Sequence, residues 1–171
     1  MNEEEIDIID TVGFQSTLYN DFTSRYFTKY FLPENKFIFI HSNNIILCGI
    51  SKNHFLLNNN IIINDIIDCK KLGKITGRNK HGGIFINENE TIVNINYTNK
   101  DNNESNVYKF CTGIKGKLIE VNKNIINNNN LIKEDPLGDG FICILQMDLK
   151  EVQKLKEKLS NNNNNNINEN I

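Results

Sequence analysis

The densest chemistry in the chain is a run of positive charge, Lys70, Lys71, Lys74, Arg78 and Lys80, followed by His81. Cations at this spacing form an electrostatic patch for an acidic partner, either an acidic protein surface or a nucleic-acid backbone. A solvated loop with no partner is the plainer reading of the same charges. Residues 70–84 hold no Phe, Tyr or Trp on which a base could stack, which points the patch toward protein. Gly77, Gly82 and Gly83 do not make a G-x-G-x-x-G or P-loop pattern, so phosphate cradling has no support. A second candidate is Arg25, which opens the aromatic block RYFTKYF at Arg25–Phe31. Arginine among aromatics is the composition of a partner-binding hot spot, but aromatics also dominate core burial, so both readings stand.

Catalytic and metal chemistry find little to work with. His41, His54 and His81 are the three histidines, and Cys48, Cys69, Cys111 and Cys143 lie far apart with no C-x-x-C pair. No metal-ligand spacing, nucleophile–base order or carboxylate pair emerges, so the chain reads as non-enzymatic and metal-free. His41, beside Ser42 and Asn43, reads as the cap of a β-turn. Cys48, Cys111 and Cys143 sit in apolar, strand-like settings where a thiol behaves as a small hydrophobe. The acidic N-terminus MNEEEIDIID lacks the apolar stretch of a signal peptide, and no apolar run reaches the roughly 18 residues that span a bilayer. A soluble protein in a reducing compartment is expected. A net charge of −2 and a pI near 5.9 give no global field toward nucleic acid or acidic membrane. Asparagine accounts for 33 of the 171 residues, a bias with the signature of an AT-rich genome and therefore discounted as functional evidence.

These residues need elements to hold them. The length suggests one domain with a real core. Residues 1–20 read as an acidic, disordered arm. In DFTSRYFTKYF the aromatics recur at helix-like steps, which predicts a short helix capped by Asp21 or Thr23 and stopped before Pro33. From Lys36 the texture turns to β: KFIFIHS and NNIILCGI around the turn His41–Asn44, then the segments up to NVYKFCTGIKGKLIEVN, punctuated by glycine. The β-domain is placed at 21–149. DLKEVQKLKEKLS predicts a C-terminal helix at 150–160, entered through Asp148 with Glu151 in the capping-box position and a stripe of Leu149, Val152, Leu155 and Leu159. The asparagine-rich residues 161–171 are expected to be a disordered tail.

The stretch Gly116–Ile142, GKLIEVNKNIINNNNLIKEDPLGDGFI, lays out a strand, a one-turn helix, a polar excursion and a second strand opened by Pro136, Gly138 and Gly140. This layout resembles the closing half of a lipoyl/biotinyl-type β-domain, most like the H protein of the glycine-cleavage system. The resemblance implies a mainly β barrel-sandwich hybrid with a C-terminal helix. In that family a lysine at a hairpin tip carries lipoate. Here the hairpin before Gly116 reads NKDNNESNVYKF. Laying Glu104-Ser105 on the Glu-Ser that precedes the family's lysine puts that position on Val107, and counting back from Gly116 puts it at Ser105. Lys100 and Lys109 are neighbours in either register but lack the flanking residues a ligase reads. No lipoyl-lysine motif is present, and no cofactor is expected.

Four blocks in order, RYFTKYF, HSNNIILCGIS with HFLL, GKITGRNKHGG, and KGKLIEVNKNI with PLGDGFICIL, resemble the Abitram family, the actin-binding transcription modulators also called Simiate. The resemblance covers about Asp21 to Leu149; the asparagine insertions and both tails depart from it. It implies an actin-binding protein of the nucleus, including nuclear speckles, and of the cytoplasm, with a role in cytoskeletal and transcription-linked activity. Docking through the Lys70–Lys80 loop, aided by Arg25, is the expected mechanism. The alternatives are a lipoyl- or acyl-carrier relative modified at Lys100 or Lys109, and a scaffold for a partner other than actin.

Overall fold

Residues 26–77 and 81–168 are described by the structure, a computed structural model. Alternation of apolar side chains builds its first layer. In β2 (Lys36–His41) Ile38 and Ile40 point one way and Phe37 and Phe39 the other, and in β3 (Ile45–Ile50) Ile46, Cys48 and Ile50 join the isoleucines of β2. Together with β1 (Phe27–Leu32), β5 (Ile84–Ile86), β8 (Gly116–Val121) and β9 (Cys143–Gln146) they make a six-stranded antiparallel sheet, ordered β1-β2-β3-β9-β8-β5. The second layer is a three-stranded antiparallel sheet, β4 (Ile61–Asp68), β6 (Thr91–Asn99) and β7 (Glu104–Cys111), in the order β4-β6-β7. Ile66, Val93, Ile95 and Phe110 of this sheet share one buried cluster with the isoleucines and cysteines of the larger one. Each fully buried isoleucine stabilises the fold by roughly 1.5–3 kcal/mol. Register shifts at Ile63/Asp65, Thr91/Val93 and Leu118/Glu120 interrupt the ladders locally, as β-bulges do. The fold is the mainly β barrel-sandwich hybrid that the sequence suggested.

The helix expected before Pro33 is instead β1. It pairs with β2 from Phe27↔His41 to Leu32↔Lys36, turning Tyr30 into the core while Phe31 stays exposed. Aromatic residues suit a pleated surface, and the tight turn at Pro33–Asn35 returns the chain directly alongside, so strand pairing wins over the helix-like spacing. The proposed caps Asp21 and Thr23 lie outside the described residues, as do the acidic arm at 1–20 and residues 169–171.

The ending follows the expected layout. β8 leads into the short helix α1 (Lys123–Asn127), then α2 (Leu131–Glu134), the Pro136–Gly140 turn and β9. Asn122 joins the two ends of this excursion. Its Oδ1 accepts from the Asn124 amide at 3.0 Å as the cap of α1, and its Nδ2 donates to the carbonyls of Asp139 and Phe141 at 2.8 and 2.7 Å. The last helix, α3 (Leu149–Asn168), runs well past Ser160, so the tail expected to be disordered is helical at 161–168. Val152 and Leu159 bury their side chains in the core, and the backbone of the helix continues from there through 168. Leu149, assigned to the apolar stripe, is exposed, and Glu151 reaches Lys115 at 3.6 Å.

Candidate functional site

The basic loop leaves β4 through a turn capped by Asp68, whose Oδ1 accepts from the amides of Lys70 (2.7 Å) and Lys71 (3.3 Å). Lys70 then folds back onto Glu90, which also accepts from the Asn87 amide at 3.0 Å. The Lys70 hydrogen bond, then the Asn87 amide, hold the Glu90 carboxyl below its usual range. Lys70 is therefore a mooring for the loop more than a free contact. Beyond it, Thr76 and His81 exchange backbone hydrogen bonds at 2.9 and 2.8 Å, closing a small hairpin. Gly82, at φ +92°, passes so close to the chain that a Cβ would stand 2.5 Å from the Lys74 carbonyl. Lys71 and Lys74 are exposed and line a groove of about 480 Å³ together with Asp68, Glu120 and Lys123. Arg78, Lys80 and Arg25 lie outside the described residues.

One aromatic beside this loop was not singled out from sequence. Phe85, on the edge strand β5, is 81% exposed, with the Lys117 ammonium 6.0 Å from its ring centre. Alternation in GGIFIN was its only signal: of the strand's three residues, Ile86 alone turns inward.

The β6–β7 hairpin forms where the carrier hairpin was sought. Lys100 occupies its tip turn, with its amide donating to Asn60 O (2.8 Å) and its Nζ to Asn59 O (3.0 Å). Lys133 reaches the neighbouring turn into β4 through Asn58 O (2.9 Å) and Ile61 O (2.5 Å); burial first, then the Lys100 charge, lowers its pKa. Ser105 pairs with Thr98 just behind the tip, while Val107 and Lys109 are exposed farther along β7.

A second site, unsuspected from sequence, lies where the β1–β2 turn and the loop after β3 meet the edge of β7. His54 is buried, and its Nδ1 accepts from the Leu56 amide at 3.2 Å, so the neutral ring carries its proton on Nε2. Its ring meets those of Phe55 and Tyr108 at 4.7 and 4.9 Å. Burial first, with the nearby Lys36 charge second, lowers the His54 pKa to about 4, and Glu34 opposes them. Lys36, itself buried, pairs with Glu34 at 3.0 Å and donates toward Cys111 Sγ at 3.7 Å. The Tyr108 hydroxyl is buried with no hydrogen-bond partner among the described residues, and burial, the Glu34 charge and Cys111 push its pKa to about 12. Glu34 and Asn35 hold left-handed φ values of 60° and 53°, backbone strain of the kind that gathers at functional sites. The cavity they border measures about 650 Å³. No sequence spacing links positions 34, 54 and 108; the β2–β3 pairing brings the first two together and the layering of the sheets adds the third.

His41 caps the β2–β3 turn as expected, accepting from the Asn43 amide at 3.2 Å. Among the described residues no group of three or more His, Cys, Asp or Glu could hold a metal ion, and no helix is long and apolar enough to cross a membrane.

The glycine cleavage H-protein family matches residues 70–170. Three relatives, each called Protein Abitram, are similar over most of their length. That of Xenopus tropicalis is 32% identical over 148 residues, covering 79% of this chain and 78% of that protein. Those of Gallus gallus and Danio rerio are each 30% identical, covering 80% and 79% of this chain and 83% and 81% of their own. The chain belongs to the Abitram family. A solved glycine cleavage system H protein from Mycobacterium marinum aligns with a TM-score of 0.49 at 15% identity, over 69% of this chain and 82% of its own.

Within this Abitram-family chain, the H-protein match opens at Lys70, the base of the basic loop, and takes in the β6–β7 hairpin and the ending joined by Asn122. Two surfaces can thus do chemistry: an exposed basic loop beside Phe85, and a cavity at the mouth between the sheets, lined by Glu34, His54, Tyr108 and Lys109.

Proposed function

We propose that this chain is a non-enzymatic actin-binding protein, working without a cofactor in nucleus and cytoplasm and linked to filament dynamics and transcription. The observation that carries this reading is the basic hairpin, moored through Lys70 and Glu90 so that Lys71 and Lys74 stand exposed beside the groove; Abitram-family membership supports it. Actin presents an acidic surface, and exposed lysines on a moored loop meet it at less entropic cost than lysines on a loose one. The test is co-sedimentation of the full chain with filamentous actin across a salt series. Pelleting that weakens as salt shortens the Debye length below about 10 Å, and falls in a Lys71→Glu/Lys74→Glu variant, supports the reading. No pelleting at low salt overturns it.

A second reading has one observation in its favour, the place of Lys100 in the hairpin tip. There the chain would be a lipoyl or acyl carrier. An intact-mass spectrum of protein from its native cell separates the two, since a carrier shows a fixed added mass and a docking module none.

A further inference from the structure

We infer that Cys48 and Cys143 form a reversible disulfide lock, closed by hydrogen peroxide when the H-protein-like ending opens locally at its Asn122 tether. Three observations meet here.

The first is register. Cys48 of β3 and Cys143 of β9 are direct partners across the ladder, and both turn into the core with no exposure. Opposed residues of an antiparallel pair hold their Cβ atoms about 4.5–5.5 Å apart. A disulfide needs about 3.5–4.5 Å, so an approach of roughly 1 Å closes the bond. The other two cysteines belong to the smaller sheet, where Cys69 follows β4 and Cys111 ends β7 opposite Thr91.

The second is place. Cys143 is the first residue of β9, where the chain returns from the Pro136–Gly140 turn. Asn122 holds that return: its Nδ2 donates to the Phe141 carbonyl at 2.7 Å and its backbone amide to the Ile142 carbonyl at 2.9 Å. The Ile142 amide in turn donates to the Cys48 carbonyl at 2.8 Å. Releasing these few bonds is a local opening, less costly than global unfolding, and it bares the Cys143 end of β9 first.

The third is the resting state of the thiols. Burial first, and then the Cys48 thiol hydrogen-bonded beside it, push the Cys143 thiol up. Only a thiolate is nucleophilic, so the closed fold shields the pair and opening to water makes it reactive. The thiolate of one cysteine then attacks a peroxide oxygen and breaks the O–O bond, giving a sulfenic acid and a hydroxide that takes up the thiol's proton as water. The neighbouring sulfur attacks the sulfenic sulfur, the S–O bond breaks, and a second water leaves with the second thiol's proton. Two thiols are oxidised and one peroxide is reduced to two waters. The bond ties β9 to β3 one strand away from the groove of the basic loop, since Val121, opposite Cys143, lines that groove.

The lock rests on neither the basic loop nor actin. The experiment treats the dilute full chain with hydrogen peroxide, blocks the remaining thiols in denaturant, and maps linked peptides by mass spectrometry before and after dithiothreitol. Expected are a Cys48–Cys143 link that dithiothreitol removes, and amide hydrogen exchange across 141–145 at least about tenfold slower in the linked chain. Linking should be at least about fivefold faster in Asn122→Ser, the scale of one lost buried hydrogen bond. A link to Cys69 or Cys111 in its place overturns the inference, as do two thiols that stay reduced, exchange unchanged by the link, or an unchanged rate in Asn122→Ser. Mapping on the unaltered chain keeps the test decisive whatever the variant does to folding.

Discussion

The rings of His54 and Tyr108 stand 4.9 Å apart at 68°, joining the loop after β3 to the edge strand β7 and so one sheet to the other. Edge-to-face contact of this kind contributes on the order of 0.5–1.5 kcal/mol beyond the area it buries. It also keeps the imidazole from water, which makes the contact sensitive to pH.

The folded His54 ring takes up its proton at about pH 4 and the unfolded one near 6.5. Between those values the unfolded chain binds more protons, so acidification favours unfolding. The ring's contribution is whole above pH 6.5 and is lost as pH falls to about 4, an effect of about 2–3 kcal/mol. Urea unfolding from pH 4 to 7 should show a wild-type stability that falls more steeply on acidification than that of His54→Gln. Parallel profiles for the two proteins would show that the ring is not kept neutral by burial.

Tyr108 makes a prediction of opposite sign. Its hydroxyl is buried without a partner among the described residues, so Tyr108→Phe removes a desolvated donor while keeping the ring packing. The variant should be more stable than wild type by about 1 kcal/mol in the absence of ligand. A loss of stability in a denaturant titration would mean that the hydroxyl is already satisfied.

Much of this was legible locally. The apolar, β-branched runs KFIFIH and NNIILCGI gave β2 and β3, and the Pro136–Gly140 motif marked the turn before β9, because each signal is carried by neighbouring residues. The aromatic run in β1 misled because its spacing fits one face of a helix, and only pairing with β2, across the turn at Pro33–Asn35, decides it. The mouth site was invisible for a related reason. The His54 ring has only Phe55 and Leu56 as partners in its own segment; the β2–β3 pairing brings Lys36 near, and Tyr108 reaches it only after the two sheets are laid together. Among the basic residues the sequence could not separate Lys70 from Lys71, since the distinction comes from Glu90, twenty positions away.

That distinction is testable. Lys70→Met should release the loop, seen as faster amide hydrogen exchange through 70–83, with little change in the urea midpoint. Lys71→Met and Lys74→Met should leave exchange there near wild type, since both side chains are exposed. Equal effects from all three would mean that the Glu90 pair does not moor the loop.

Gly140 offers a sharper case. A Cβ there would lie 2.6 Å from the carbonyls of Asp135 and Leu131 and 3.0 Å from Ile132 Cα, all backbone, so nothing flexible can yield. Gly140→Ala should cost about 3 kcal/mol. At Gly138 the obstruction is the Asp135 carboxylate, a side chain that can swing aside at the expense of its 2.9 Å bond to the Asp139 amide. Gly138→Ala should therefore cost markedly less, and thermal melts of the pair give the comparison directly.

Asn122 carries the last prediction, because it separates hydrogen bonding from size. It is buried at 2% exposure, and its amide nitrogen donates to the carbonyls of Asp139 and Phe141 while its oxygen caps α1. Asn122→Asp preserves the shape and the cap but sets a carboxylate oxygen against two carbonyls. Those carbonyls lose their donor and meet a like partial charge in a place water does not reach. Asn122→Ser is smaller and keeps a capping oxygen, but it leaves a gap in place of the repulsion. If the tether between β8 and the Pro136–Gly140 turn is what holds the H-protein-like ending closed, Asn122→Asp should destabilise by about 3 kcal/mol at pH 7, at least as much as Asn122→Ser. Its loss should also shrink as acid protonates the carboxyl and restores a donor. Unfolding of both variants at pH 7 and pH 5 reads this out, and an aspartate variant as stable as wild type at pH 7 would remove the tether from the account of the fold.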